Sequence, residues 1–284
     1  MRIAIASGKG GTGKTTVATN LAWVAARNGR IAAYLDCDVE EPNGHLFLKP
    51  RITERRPVEV LMPSVDAESC TGCGQCSQIC QYSAIVRLPS EVLVFAELCH
   101  SCGGCAQVCP ERAITEVPRS VGVVESGEAG KVRFVQGILN VGEARSTPVI
   151  QAVKDAAPPA DLVIADASPG TSCPVIEAVR GSDYVLLVAE PTPFGLSDLK
   201  LAVEMVRAIQ LPFGVVINRA GLGYPEALAF CGAERIDVLA EIPDDRRIAE
   251  TYSRGEMVCE ALSDYQPVYA EILRGATREA KASA

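Results

Sequence analysis

The run Gly8-Lys9-Gly10-Gly11-Thr12-Gly13-Lys14-Thr15 fits G-x-x-x-x-G-K-[ST], the spacing of a loop that cradles phosphates. Glycines free the backbone to turn its N–H groups inward. A helix opening at Lys14 adds partial positive charge at its N-terminus. In that setting Lys14 reaches the β- and γ-phosphates, and the Thr15 hydroxyl holds Mg²⁺. The expected ligand is ATP or ADP with Mg²⁺, bound by residues 8–15 together with Thr16. A glycine-rich turn without a ligand is the bland alternative. The apolar strand before the loop and the helical spacing after it favour the phosphate reading.

A second chemistry is written in cysteine. C-x₂-C-x₂-C-x₃-C occurs twice, as Cys70, Cys73, Cys76, Cys80 and as Cys99, Cys102, Cys105, Cys109. This is the iron–sulfur run of bacterial ferredoxins. Three closely spaced thiolates wrap one face of a cubane, and the fourth points away to a second cluster. Cys70, Cys73, Cys76 and Cys109 are therefore assigned to one [4Fe–4S] cluster, and Cys99, Cys102, Cys105 and Cys80 to the other. Gly72, Gly74, Gly103 and Gly104 keep the loops small, so that amides can point at the sulfurs. Pro110 follows Cys109 as in the ferredoxin run, whereas Gln81 follows Cys80. Zinc is the competing occupant, since C-x₂-C pairs also build Cys₄ sites. A zinc knuckle needs two pairs, however, not two quartets with a trailing C-x₃-C. Four more cysteines are scattered: Cys37, Cys173, Cys231 and Cys259. Packing is the expectation for Cys37, Cys231 and Cys259, because a free cysteine behaves as a small hydrophobe.

These motifs need elements to hold them. Ile3–Ser7 is a short apolar run, and Lys14–Asn28 has helical spacing with Val17, Leu21 and Val24 on one side. Ile31–Asp36 reads as a second strand. Leu162–Asp166, Tyr184–Ala189 and Phe213–Asn218 are nearly all apolar, as strands buried on both faces of a parallel sheet are. Gly195–Gln210 and Asp244–Arg254 read as covering helices. Repeated units of this kind predict an α/β fold, doubly wound around a mostly parallel sheet. Residues 56–118 break the rhythm. They are rich in Gly and Cys, are punctuated by Pro57, Pro63, Pro89, Pro110 and Pro118, and contain a repeat. CTGCGQCSQICQYSAIV at 70–86 is echoed by CHSCGGCAQVCPERAIT at 99–115. This segment is expected to form a small inserted α+β module of ferredoxin type. The α/β domain is then discontinuous, over 1–55 and 119–284. The segment after Gly275 reads as a polar tail.

Bulk properties narrow the partners. A formal net charge of −8 argues against a general nucleic-acid binder, which needs a basic face. No apolar run approaches the ~20 residues of a membrane span. The N-terminus has no apolar leader region, so no export signal is expected and the cytoplasm is the default. Twelve cysteines in a reducing compartment are not read as disulfides.

The string GKGGTGKTT, with its extra lysine at position 9, resembles the deviant Walker A loop of the MinD/ParA/Mrp family of ATPases, which includes the nitrogenase iron protein. The resemblance implies an ATP-sandwich homodimer in which Lys9 reaches the nucleotide of the partner subunit. It implies further roles in chain order. Asp38, closing Asp36-Cys37-Asp38, resembles the switch I carboxylate that orients the attacking water, while Asp36 reads as an end-of-strand acid. Asp166, ending LVIAD, resembles the Walker B aspartate that reaches Mg²⁺ through water. Ser168-Pro169-Gly170-Thr171 resembles switch II, with the Gly170 amide available to the γ-phosphate. Asn218 resembles the residue that hydrogen-bonds adenine, and Pro243-Asp244 the loop against the base. Glu190-Pro191-Thr192 is familiar in the family but is given no chemical role. Cys173 lies near the place of a cluster-ligating cysteine in the nitrogenase iron protein. Each subunit there gives two ligands, and this chain has no other cysteine between 119 and 172.

The whole chain resembles MinD-superfamily ATPases carrying an inserted ferredoxin domain. Three functions are compatible with that. One is an ATP-gated electron carrier serving a redox partner protein. The second is an iron–sulfur or metallocofactor assembly ATPase of Mrp type, although no C-x₂-C stands near the C-terminus. The third is a positioning ATPase like ParA or MinD. The tail YAEILRGATREAKASA lacks the strongly basic amphipathic face of a membrane anchor.

Overall fold

A computed structural model describes residues 1–282 apart from Leu222 and Tyr224. A nine-stranded sheet forms the spine, in the order β11-β10-β9-β1-β8-β2-β7-β6-β3. Its strands are β1 (Arg2–Ala6), β2 (Ala32–Cys37), β3 (Arg51–Val65), β6 (Ile114–Ala129), β7 (Val132–Leu139), β8 (Leu162–Ala167), β9 (Tyr184–Ala189), β10 (Phe213–Ala220) and β11 (Val238–Pro243). A separate hairpin pairs β4 (Ile85–Arg87) with β5 (Val92–Val94). From β11 to β7 every pairing is parallel, while β6 and β3 add antiparallel edges.

Both faces of the central strands are covered, which is why their sequences are almost wholly apolar. Ile3, Ile5 and Tyr34 meet the helices Lys14–Arg27 and Gln266–Ala282 on one face. Ala4, Ala6 and Leu35 meet the helices Thr147–Asp155, Cys173–Val179 and Pro193–Ala208 on the other. Alternate strand residues point to opposite faces, so each short strand feeds two cores. The stretch after Gly275 is not a loose polar tail. It completes the helix Gln266–Ala282 and buries Ala276, Thr277 and Ala280. The apolar positions recur at helical spacing among charged residues, and docking against the sheet orders them.

The cysteine segment is not joined by flexible linkers. β3 and β6 pair from Arg51↔Glu128 to Val65↔Ile114, and only residues 122–129 of β6 also pair with β7. Beyond that point the two strands continue as a ribbon, with a register shift between Val58 and Glu59 where it leaves the sheet. Positions 56 and 118 thus fall inside β3 and β6. The ribbon closes on Asp66 N–H donating to the Ala113 carbonyl at 2.8 Å. Residues between them pack around Cys76, Ile85 and Ile114.

Candidate functional site

Parallel strands all end on one edge, and here that edge collects the loops after β1, β8 and β2, three adjacent strands. Ligands of open α/β sheets bind at this carboxyl edge. A cleft of about 370 Å³ opens there, lined by Gly10, Gly11, Gly13, Lys14, Thr15, Thr16, Asp38, Asn218, Pro243 and Asp244 among others. Gly11 and Gly13 have positive φ of 79° and 92°, a backbone that L side chains rarely adopt. Gly8 has a different reason to be glycine: a Cβ there would strike the Asp198 carbonyl of a covering helix.

Asn218 Nδ2 donates to the Thr12 carbonyl at 2.7 Å, bracing the phosphate loop from β10 and leaving its own carbonyl oxygen for a ligand. The Thr12 hydroxyl and Asp166 Oδ1 are buried without a hydrogen-bond partner among the described residues. Buried polar atoms rarely stay unpaired, so a hydrated cation and a phosphate fit these positions. Burial pushes the Asp166 carboxyl up to about 6, against the pull of the Lys14 charge and the Thr15 and Tyr34 hydroxyls. Burial likewise raises Asp38, opposed by Lys14 and by the Ser168 hydroxyl. The Gly170 amide donates to the Ser7 carbonyl at 2.9 Å, so meeting a phosphate would require exchanging that bond.

Three residues have roles that the sequence did not assign to them. Tyr34, fully buried, donates to Asp166 Oδ2 at 2.9 Å and lies 3.4 Å from Asp36 Oδ2. Asp36 and Asp166 are register partners on β2 and β8. Asp36 is more than an end-of-strand acid: it accepts from the Asp38 and Gly44 amides at 3.2 and 2.9 Å, fixing the loop that carries Asp38. Burial and the neighbouring Asp166 charge raise its carboxyl well above the ordinary range. Tyr34 and Asp36 share a strand face at i, i+2, which was a readable signal. Glu190 is the third. It is nearly buried, and it holds Lys9 Nζ at 3.4 Å and Arg219 Nη1 at 2.8 Å.

The eight cysteines of the module gather as two quartets. Cys70, Cys73, Cys76 and Cys109 line one cavity, and Cys80, Cys99, Cys102 and Cys105 line another. Each set thus takes its fourth member from the other repeat. The repeat is also one of backbone: positive φ recurs at Gly72 and Ser101, Gly74 and Gly103, and Ser83 and Arg112. Each pair is offset by the same 29 residues as the two cysteine runs. Gly74 and Gly103 each precede a short helix, Gln75–Ile79 and Gly104–Gln107. Burial opposes a thiolate at Cys80, but the amides of Tyr82, Ala84, Ile85 and Ser83 outweigh it and hold the thiol below its ordinary value. Among the described residues, no three His, Cys, Asp or Glu side chains converge as one bound ion would require.

Elsewhere, Cys37, Cys231 and Cys259 are buried, and burial raises Cys231 to about 11 and Cys259 to about 12. These thiols are packing groups. Cys173 is exposed at the start of the helix Cys173–Val179. No helix among the described residues is long and apolar enough to cross a membrane.

A nucleotide-sized cleft at the carboxyl edge of a parallel sheet, under a glycine-rich lysine loop, defines a P-loop nucleotide-binding protein. The chain belongs to the CobQ/CobB/MinD/ParA nucleotide binding domain family, whose profile matches residues 3–258, and is a MinD/ParA-type ATPase. It is 35% identical over 226 residues to an uncharacterised protein of Methanocaldococcus jannaschii, covering 78% of this chain and 79% of that one. It is 24% identical over 278 residues to the iron–sulfur cluster carrier protein of Pyrococcus furiosus, covering 89% and 77%. The septum site-determining protein MinD of Pyrococcus horikoshii, solved with Mg-ADP, shares the fold. It superposes with a TM-score of 0.60 at 19% identity, over 100% of this chain and 98% of that one.

Proposed function

We propose that this protein is an ATP-hydrolysing iron–sulfur protein. ATP binding and dimerisation control electron transfer through two [4Fe–4S] clusters to a partner protein. The reading keeps the two-part division, 1–55 with 119–284 and the insert 56–118, with β3 and β6 running through both. Its main support is the pair of cysteine quartets on a ribbon of the sheet whose carboxyl edge holds the cleft.

In the cleft, Lys14 and the loop amides would bind the triphosphate. Thr15 directly and Asp166 through water would hold Mg²⁺, which supplies charge compensation at the phosphates. Asp38, facing Lys14 and Ser168, would orient the attacking water. Asn218, Pro243 and Asp244 would border the base. Lys9 would leave Glu190 to reach the nucleotide across a homodimer. The quartets suit cubanes: each thiolate of a cubane binds a different iron, so the sulfurs ring a volume rather than meet at a point. Such clusters, when bound, store and pass single electrons. Closure of the Asp38 and Gly170 loops on the γ-phosphate is the step that would reposition the ribbon.

The test is anaerobic preparation with iron, sulfide and zinc analysis. About eight irons per chain are expected; zinc in their place would end the reading. Electron delivery to a low-potential acceptor should differ with and without MgATP, and equal rates would remove the gating.

A second reading is an iron–sulfur carrier, favoured by the name of the Pyrococcus furiosus relative. It predicts cluster transfer to an apo-acceptor faster than release to a chelator.

A further inference from the structure

One ion cluster ties the two halves of the molecule together. Glu143, in the loop after β7, has its side chain 2% exposed and pairs with Arg119 on the ribbon and with Arg145 Nε at 3.1 Å. The Arg145 amide also donates to Glu143 Oε1 at 3.1 Å. Arg145 Nη1 in turn donates to the Cys99 carbonyl, and it lies 3.4 Å from Ser101 Oγ. This arginine is a residue of the ATPase sheet's own loop, yet its guanidinium is bonded to the loop of the second cysteine quartet.

The other end of that loop leads to the cleft. The Leu139 amide donates to the Val39 carbonyl at 2.8 Å, and Val39 directly follows Asp38. Asn140 then donates to Val121 at 3.0 Å, and the Glu143 amide donates to Asn140 at 3.0 Å. A hydrogen-bonded connection therefore runs from the Asp38–Val39 segment to Cys99. Among the described residues the first quartet has no such tie: the arginine near it, Arg87 on the β4–β5 hairpin, lies against Gly72 and Gly74 within the module itself.

We propose that Arg145, held by Glu143 and Arg119, is the positioning residue through which the nucleotide site acts on the Cys99–Cys105 quartet and leaves the Cys70–Cys76 quartet unaffected. The proposal rests on the reading that both quartets hold clusters. Two physical effects follow. The guanidinium charge favours the more negative, reduced form of the nearer cluster. The hydrogen bond to Cys99 makes the loop follow any shift of Asp38 and Val39.

The experiment uses the full chain, as wild type, R145Q, R145K and R87Q. In iron-loaded protein, an EPR-monitored titration with dithionite as the one-electron reductant should give two midpoints. R145Q should lower one of them, R145K should restore it by restoring the charge, and R87Q should lower the other. MgATP should shift the Arg145-sensitive midpoint in wild type and not in R145Q, with ATP affinity of the oxidised protein unchanged. A second measurement needs no iron. In the metal-free chain, alkylation of Cys99 and Cys102, mapped by mass spectrometry, should be about fivefold or more faster in R145Q. Cys70 and Cys73 should react as in wild type. Overturning results are movement of both midpoints together in R145Q, an MgATP shift that survives R145Q, or uniform alkylation changes. If wild type takes up no iron, the cluster reading fails on its own, and the alkylation pattern still decides whether Arg145 holds the loop.

Discussion

At the level of single residues, the nucleotide site is organised by buried acids that the phosphate-loop motif does not mention. Asp36 and Asp166 sit side by side on adjacent strands, and one tyrosine hydroxyl serves the second of them. Removing that hydroxyl leaves a buried carboxylate oxygen unpaired. Tyr34→Phe should therefore cost about 1–3 kcal/mol of stability, read as a lower urea midpoint with no change in slope. A midpoint at the wild-type value would show that the hydroxyl is dispensable. Lys14 and the glycines were readable because the loop is contiguous in sequence. The bonds from Tyr34 to Asp166, from Glu190 to Lys9 and from Arg145 to Cys99 were not, because those partners lie far along the chain and only folding brings them within reach.

Among the elements, the C-terminal helix and the loop after β7 carry the main lessons. The helix Gln266–Ala282 buries Tyr269, Ile272 and Leu273 in the same core as the phosphate-loop helix. Ile272→Ala should cost ~2–5 kcal/mol, measurable by chemical denaturation; a neutral result would mean the helix adds little to the core. The loop after β7 makes a pH-dependent contribution. Burial opposes the Glu143 charge, but hydrogen bonds from Arg145 and Arg119 outweigh it and hold the carboxyl below its usual range. A depressed folded value adds stability above the unfolded value, roughly pH 4.3, that is lost as pH falls through the folded one. The acid limb of the stability profile should therefore flatten in Glu143→Gln, as followed by urea midpoints between about pH 3 and pH 6. An unchanged limb would assign acid sensitivity elsewhere.

On the scale of the whole molecule, the nucleotide cleft and the two cysteine quartets share one sheet. The strands that end at the cleft belong to the same hydrogen-bonded array as the ribbon bearing the cysteines. Lys9 is at present engaged within its own chain by Glu190. If dimerisation recruits it, Lys9→Ala should leave MgATP binding nearly intact. It should also keep the protein at the mass of one chain where wild type doubles with a non-hydrolysable ATP analogue. Light scattering after gel filtration checks this, and equal dimerisation by both proteins would sink the ATP-sandwich arrangement.

The sequence by itself determined whatever depends on neighbours in the chain. That covers the phosphate loop, the βα alternation of buried strands, and two cysteine runs whose equal spacing repeats the same backbone turns. Tertiary structure decided what depends on neighbours in space. It set the strand order that places Asp36 against Asp166, carried β3 and β6 unbroken into the module, and docked an amphipathic C-terminal stretch that reads as polar in isolation. The physical reason is that local pattern encodes turn geometry and burial over a few residues, whereas pairing register and long-range ion pairs are settled only when distant segments compete for the same surface.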